Sequence, residues 1–134
     1  MRVERNGACP CGSGQKAKRC CLPAVEGQRH ATGPEALLRA RFCAYGWGAV
    51  DYLMATCSGD ARSADPRWRD ELVAYCAVLT VNSLAIALAE TAGDTGAVSY
   101  TAALTLNGRP VELREKADYV RIAGRWTYSG GTVG

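Results

Sequence analysis

The sequence contains one histidine, His30, and one phenylalanine, Phe42, in 134 residues. A lone histidine in a polar segment excludes the commonest nucleophile–base triads, which need an imidazole beside the nucleophile. No apolar run approaches the roughly 20 residues that span a bilayer, so no membrane role is expected. The opening Met1-Arg2-Val3-Glu4-Arg5-Asn6-Gly7 lacks the apolar centre of a secretory signal, which points to a cytoplasmic protein. A disulfide framework also lacks its preconditions. The cysteines number seven, an odd count, and a reducing compartment keeps thiols free. The length allows one compact domain and a short appendage rather than two full domains.

Charge is unevenly spread. Residues 1–30 carry six basic side chains (Arg2, Arg5, Lys16, Lys18, Arg19 and Arg29) against Glu4 and Glu26, a balance of +4. The remainder carries ten basic and eleven acidic side chains, a balance of −1. An acidic partner is therefore expected to meet the N-terminal piece, through Lys16, Lys18 and Arg19.

Four of the seven cysteines fall within thirteen residues, Cys9-Pro10-Cys11-Gly12-Ser13-Gly14-Gln15-Lys16-Ala17-Lys18-Arg19-Cys20-Cys21, a C-x-C-x8-C-C arrangement. Two ligand pairs joined by a short loop suit the tetrahedron of a Zn2+ ion, with Cys9, Cys11, Cys20 and Cys21 as ligands. Gly12 and Gly14 permit tight turns that free N–H groups for the sulfurs, and the neighbouring cations favour thiolates. Disulfides within either pair would be strained. An iron–sulfur cluster fits the ligand type alone. The run Gly12-Ser13-Gly14-Gln15-Lys16 lacks phosphate-loop spacing and a preceding strand. The string Arg5-Asn6, Cys9-Pro10-Cys11-Gly12-Ser13-Gly14, Cys20-Cys21 resembles the SEC-C motif, known as the zinc-binding tail of the SecA translocase. That resemblance implies a closed zinc site and docking of a protein or ribosome. The motif usually has an aromatic residue where Ala17 stands, so packing around the metal or part of a docking surface is expected to be reduced.

The remaining chain divides into a polar stretch and a patterned one. Leu22 to Gly33 carries Pro23, Gly27 and Gly33 without apolar period, so a knuckle over 1–25 is expected to be followed by a linker over 26–33 that holds an exposed His30. Residues 34–134 then form the main domain. Thr32-Gly33-Pro34-Glu35 reads as a capping box opening a helix with Leu38, Phe42 and Tyr45 on one stripe, ended by Gly46 and Gly48. A second helix carries Val50, Leu53, Met54 and Cys57. A third, capped by Asp65, turns Trp68, Leu72, Tyr75 and Cys76 inward. Cys57 and Cys76 are thereby expected to be buried structural thiols, while the role of Cys43 stays open. Beyond Leu79 the period alternates. Leu84, Ile86 and Leu88 mark one strand, and Val98, Tyr100, Ala102, Leu104 and Leu106 another. Asn107-Gly108 turns into Val111, Leu113, Ala117 and Tyr119, and Ala123-Gly124 turns into Arg125-Trp126-Thr127-Tyr128. The plan is α+β, three helices on a curved antiparallel sheet.

Glu115 interrupts the apolar row between Leu113 and Ala117. A carboxylate there needs either a partner, such as Arg39, Arg41 or Arg125, or a wet cavity in which it acts as a base. In the second case Asp51, Tyr52 and Tyr119 are the neighbouring candidates. The segments Leu38 to Tyr45, Asp51 to Thr56, Leu113-Arg114-Glu115 and Gly124 to Tyr128 are similar to the YchJ-like family, bacterial proteins that join a SEC-C motif to a nuclear transport factor 2-like cone. The resemblance implies that fold, an interior pocket and a possible homodimer through the outer sheet face. Arg114 stands where histidine is common and Ala117 where serine is common, which counts against a catalytic pocket. An adaptor that docks a protein or ribosome is therefore the leading expectation. Ligand binding or catalysis in the cavity comes second, and nucleic-acid binding third because the knuckle lacks an aromatic stacking platform.

Overall fold

The computed structural model of the chain describes residues 2–134. A cysteine-rich loop leads into α1 (Leu22–Val25), followed by α2 (Pro34–Trp47), α3 (Val50–Ala55) and α4 (Trp68–Ala77). Four strands complete the chain: β1 (Leu79–Ala92), β2 (Thr95–Leu106), β3 (Arg109–Ile122) and β4 (Arg125–Val133). They pair antiparallel in sequence order, the α+β meander expected from the alternating pattern. Asn107 (φ 52°) and Gly108 (φ 78°) both take positive φ, as do Ala123 (φ 51°) and Gly124 (φ 79°). Two-residue loops of that conformation match the twist of the flanking strands.

The sheet departs from strict alternation where single residues are left unpaired. Asn82 and Ala87 in β1, and Ser129 in β4, each sit in a register shift. Such bulges bend a strand and raise its twist. The shift at Ala87 also reverses the facing of the rest of β1, and Leu88, expected on the inner row, is 55% exposed.

Helix α2 lies along the inner face. Leu37 and Leu38 pack with Val98, Ala117, Tyr119 and Trp126, while Phe42, Ala44 and Trp47 join Leu79, Ala102 and Leu104. Burying one such large side chain contributes about 1.5–3 kcal/mol. The expected capping box is not formed. Gly33 is the N-cap and makes no side-chain cap, leaving Pro34 to open the helix with its preset φ. The helix also runs through Gly46 and stops only at Gly48, which takes the left-handed conformation (φ 72°). Gly46 serves close approach: a Cβ there would lie 2.5 Å from Val81 Cγ2.

Two further expectations need correction. Of the residues assigned inward on α4, Cys76 is buried, Trp68 and Leu72 are half-buried, and Tyr75 is 39% exposed. The helix touches the body by one edge. Leu22, Ala24 and Val25, read from sequence as the start of a polar stretch, are buried in α1 within the core that holds Phe42, Trp47, Val50 and Leu53.

Candidate metal centre and interior cavity

The cysteine loop is built by short-range hydrogen bonds. Ala8 and Lys16 form an antiparallel bridge, and the Cys9 N–H donates to the Gln15 carbonyl at 2.8 Å. Gly12 (φ 82°) and Gly14 (φ 85°) supply the two left-handed turns between them, and the Gly12 N–H donates back to the Cys9 carbonyl. A single 3-10 turn over Ala17–Arg19 then aims Cys20 and Cys21 at the first pair.

The result is four thiols whose sulfurs all lie within 4.8 Å of one another: Cys9, Cys11, Cys20 and Cys21. The Cys11–Cys20 separation is 3.6 Å and Cys20–Cys21 is 3.9 Å. For metal–sulfur bonds of about 2.3 Å a tetrahedron has edges of roughly 3.8 Å, so the sulfurs already stand at ligand spacing. Cys9, Cys11 and Cys21 are buried and Cys20 is half-buried. Hydrogen bonds from Cys21, Cys43 and Cys9 hold the Cys11 thiol far below its ordinary range, while burial pushes Cys20 up. Four thiols at this spacing offer a soft donor set to a tetrahedral metal ion. All four positions are filled by protein, which makes the site closed. His30 is exposed and lies outside the group.

The centre is continuous with the body of the fold. Cys9, Cys11, Ala17 and Cys21 belong to the same buried cluster as Ala40, Phe42 and Cys43 of α2. Arg39 of α2 donates to the Cys11 carbonyl at 2.7 Å, and the Arg2 N–H donates to the Trp47 carbonyl at 3.1 Å. Arg5 and Glu26 form an ion pair across the loop. Ala17 is 1% exposed, so its departure from the usual aromatic residue concerns interior packing rather than a docking surface. Cys43, unassigned by sequence, turns its fully buried sulfur to within 3.6 Å of Cys9 Sγ. Lys16, Lys18 and Arg19 are exposed and form no ion pair among the described residues.

A cavity of about 220 Å³ lies between α2 and the sheet. Its walls include Leu38, Phe42 and Leu104, and its polar groups include Arg41, Tyr100, Glu115, Tyr119 and Tyr128. Glu115 is paired with no arginine among the described residues. Tyr100 donates to Oε1 at 2.6 Å and Tyr128 to Oε2 at 2.5 Å. Burial and these bonds push both phenols up. Gly131 on β4 leaves room for the carboxylate, since a Cβ there would overlap it. Arg41 is 6% exposed. Its Nη1 donates to the Leu53 carbonyl (2.8 Å) and Thr56 Oγ1 (2.7 Å), and its guanidinium carbon sits 5.0 Å from the Tyr128 ring centre. No carboxylate pairs with it among the described residues.

Of the residues expected beside Glu115, Tyr119 lines this cavity but Asp51 and Tyr52 do not. Asp51 lies on the surface in an ion pair with Arg69, because it occupies the solvent side of the short α3. Tyr52 packs between the two core clusters, and burial pushes its phenol up to about 12. Arg39 and Arg41 hydrogen-bond elsewhere, and neither they nor Arg125, the ion-pair partners expected for Glu115, pairs with it among the described residues. Tyr100 and Tyr128 were missed as its partners, although counting outward from the Asn107-Gly108 turn pairs Tyr100 with Glu115.

These features define a class: a closed cysteine metal knuckle packed onto a nuclear transport factor 2-like α+β domain with a polar-lined interior. Residues 5–23 match the SEC-C motif, and residues 33–131 match the middle NTF2-like domain of YchJ. The chain belongs to the YchJ-like family. It is 38% identical over 121 residues to a UPF0225 protein of Deinococcus radiodurans, a match covering 90% of this chain and 85% of the relative. Among solved structures it is similar to a SEC-C motif containing protein from Rhodopseudomonas palustris, with TM-score 0.80, 28% identity and coverage of 96% and 99% of the two chains. A SEC-C motif containing protein from Psychrobacter arcticus shares the fold at 17% identity, with TM-score 0.76 and coverage of 97% and 84%. No helix among the described residues is long and apolar enough to cross a membrane.

Proposed function

We propose that this protein is a non-catalytic, zinc-organised interaction module that docks an acidic partner, a protein or the ribosome, through Lys16, Lys18 and Arg19. The observation that carries the reading is the state of these three side chains. They are exposed on the cysteine loop with no salt-bridge partner among the described residues, and the loop itself is packed into the shared core. Zinc is the ion of choice, since an all-thiolate tetrahedral set with no open position is the donor arrangement of structural zinc sites. Such sites bind with apparent energies of about 10–16 kcal/mol, which double as folding energy. Seven free thiols suit a reducing cytoplasm.

The test is co-sedimentation with purified bacterial ribosomes across a salt series, comparing the native chain with Lys16→Glu/Lys18→Glu/Arg19→Glu. Binding that is lost in the triple variant and weakens with salt supports the reading. Equal binding by both chains removes it. Deleting residues 1–25 is a poorer probe, because Leu22 and Val25 help form the core.

One observation favours a second reading, ligand binding in the cavity. A buried guanidinium without a carboxylate partner is costly unless an anion visits it. Arg41 is such a group, and only its Nη1 is hydrogen-bonded among the described residues. The Glu115 carboxylate holds a phenol on each oxygen, which disfavours a role as general base. A small apolar carboxylate is therefore the ligand class that suits the cavity. Saturable binding of benzoate followed by calorimetry, abolished by Arg41→Met, would support it. Binding unaffected by that change would exclude it.

A further inference from the structure

In the cavity between α2 and the sheet some hydrogen-bond donors are spent and others are open. Tyr100 and Tyr128 each give their only hydroxyl proton to Glu115. Tyr119, on the same inward row of β3 as Glu115, is 2% exposed, and its hydroxyl has no partner among the described residues. Arg41 is anchored from the end of α3. Its Nη1 spends both protons, on the Leu53 carbonyl at 2.8 Å and on Thr56 Oγ1 at 2.7 Å. Nε and Nη2 donate to nothing among the described residues, although the side chain is 6% exposed. That free edge is one of the forks by which a guanidinium takes a carboxylate through two parallel bonds.

These open donors belong to the cavity. Every fully enclosed side-chain nitrogen or oxygen of a buried or half-buried residue has a partner among the described residues. The unpartnered donors of Arg41 and Tyr119 are therefore ones a small molecule reaches, and both residues line the cavity. Both flank Tyr128, whose ring centre lies 5.0 Å from the guanidinium carbon and 5.8 Å from the Tyr119 ring centre. The cavity opens beside Tyr75 and Val133, lining residues that are 39% and 65% exposed. Its one carboxylate, Glu115, already holds a phenol on each oxygen, so an incoming group must be an acceptor. The other walls, with Leu38, Phe42 and Leu104, are apolar. A volume of about 220 Å³ falls below the roughly 300–1,000 Å³ of sites for drug-sized ligands, which limits the occupant to little more than one ring.

We infer that Tyr119 is the specificity-determining residue of this cavity: its hydroxyl and the Nε/Nη2 edge of Arg41 together select a small aromatic carboxylate. The Arg41 edge holds the carboxylate, the Tyr119 phenol adds a third donor, and the apolar walls take the ring. A neutral amide would turn its own N–H groups toward these donors. A short aliphatic acid would satisfy the donors but leave the walls unfilled. The inference rests on the reading that the cavity holds a ligand, and adds which residues choose it.

The test titrates the full-length native chain, Arg41→Met and Tyr119→Phe with benzoate, benzamide and acetate by calorimetry. Tyr119→Phe keeps the ring and removes only a hydroxyl without a partner. Its ligand-free unfolding temperature is therefore expected to match the native chain, which shows that it folds. Its benzoate affinity is expected to fall about tenfold or more, and Arg41→Met is expected to abolish binding. The native chain should bind benzoate at least about tenfold more tightly than benzamide or acetate. No saturable benzoate binding by the native chain would overturn the cavity reading and this inference with it. Benzoate binding that is lost in Arg41→Met but unchanged in Tyr119→Phe would refute the role of Tyr119 and leave the cavity reading standing. Equal native affinities for benzoate and benzamide, or for benzoate and acetate, would refute the selection.

Discussion

Tyr100 on β2 faces Glu115 on β3 as its direct cross-strand partner, and its phenol donates to the Glu115 carboxylate at 2.6 Å. With Tyr128 on the other oxygen, an acidic side chain is accommodated on an otherwise apolar row. Hydrogen bonds to charged groups are worth about 1.5–3 kcal/mol each. Tyr100→Phe and Tyr128→Phe are each expected to lower stability by about that amount. The double variant should lose more than either, and urea denaturation provides the measurement. Single variants as stable as the native chain would show that water serves Glu115 equally well.

Much of this arrangement was legible in the sequence. The alternation of Val98, Tyr100, Ala102 and Leu104, with the Asn107-Gly108 turn, was enough for the meander, its register and an inward Glu115. The cysteine cluster was legible because its spacing is local. The features that escaped were set by contacts distant in sequence. Cys43 lies 34 residues from Cys9, and only the packing of α2 against the loop brings their sulfurs together. The bulge at Ala87, which turns Leu88 outward, has no glycine or proline to announce it. The mostly solvent-facing α4 reflects its edge-on seating, whereas its apolar stripe alone suggested a buried face.

Gly46 is a second pressure point. Gly46→Ala would gain up to about 1 kcal/mol in helix propensity. Its Cβ would however meet Val81 Cγ2 at 2.5 Å, and overpacking of that kind costs about 1–3 kcal/mol. A net loss of stability is expected, relieved in Gly46→Ala/Val81→Ala. Thermal denaturation of the three chains checks it, and a stabilised single variant would contradict the close approach.

Burial pushes the phenols of Tyr45, Tyr100, Tyr119 and Tyr128 above their ordinary value of 10.0. The folded state therefore holds these protons more tightly than the unfolded chain does. Their contribution to stability is complete below pH 10 and is lost as pH rises beyond it. Absorbance titration near the phenolate band should show Tyr45, Tyr100, Tyr119 and Tyr128 ionising only as the chain unfolds. Reversible ionisation of all six tyrosines near pH 10 in a folded chain would contradict this.

Because Cys11, Cys21, Ala17 and Leu22 share a core with Phe42 and Trp47, metal binding is expected to support the whole domain and not the loop alone. The most direct measurement is the zinc content of protein purified under reducing conditions, taken with thermal unfolding before and after chelation, for the native chain and Cys11→Ser. The account predicts one zinc per native chain, none in Cys11→Ser, and a lower unfolding temperature for both metal-free forms. A native chain that carries no metal, and unfolds at the same temperature with or without chelator, would contradict it.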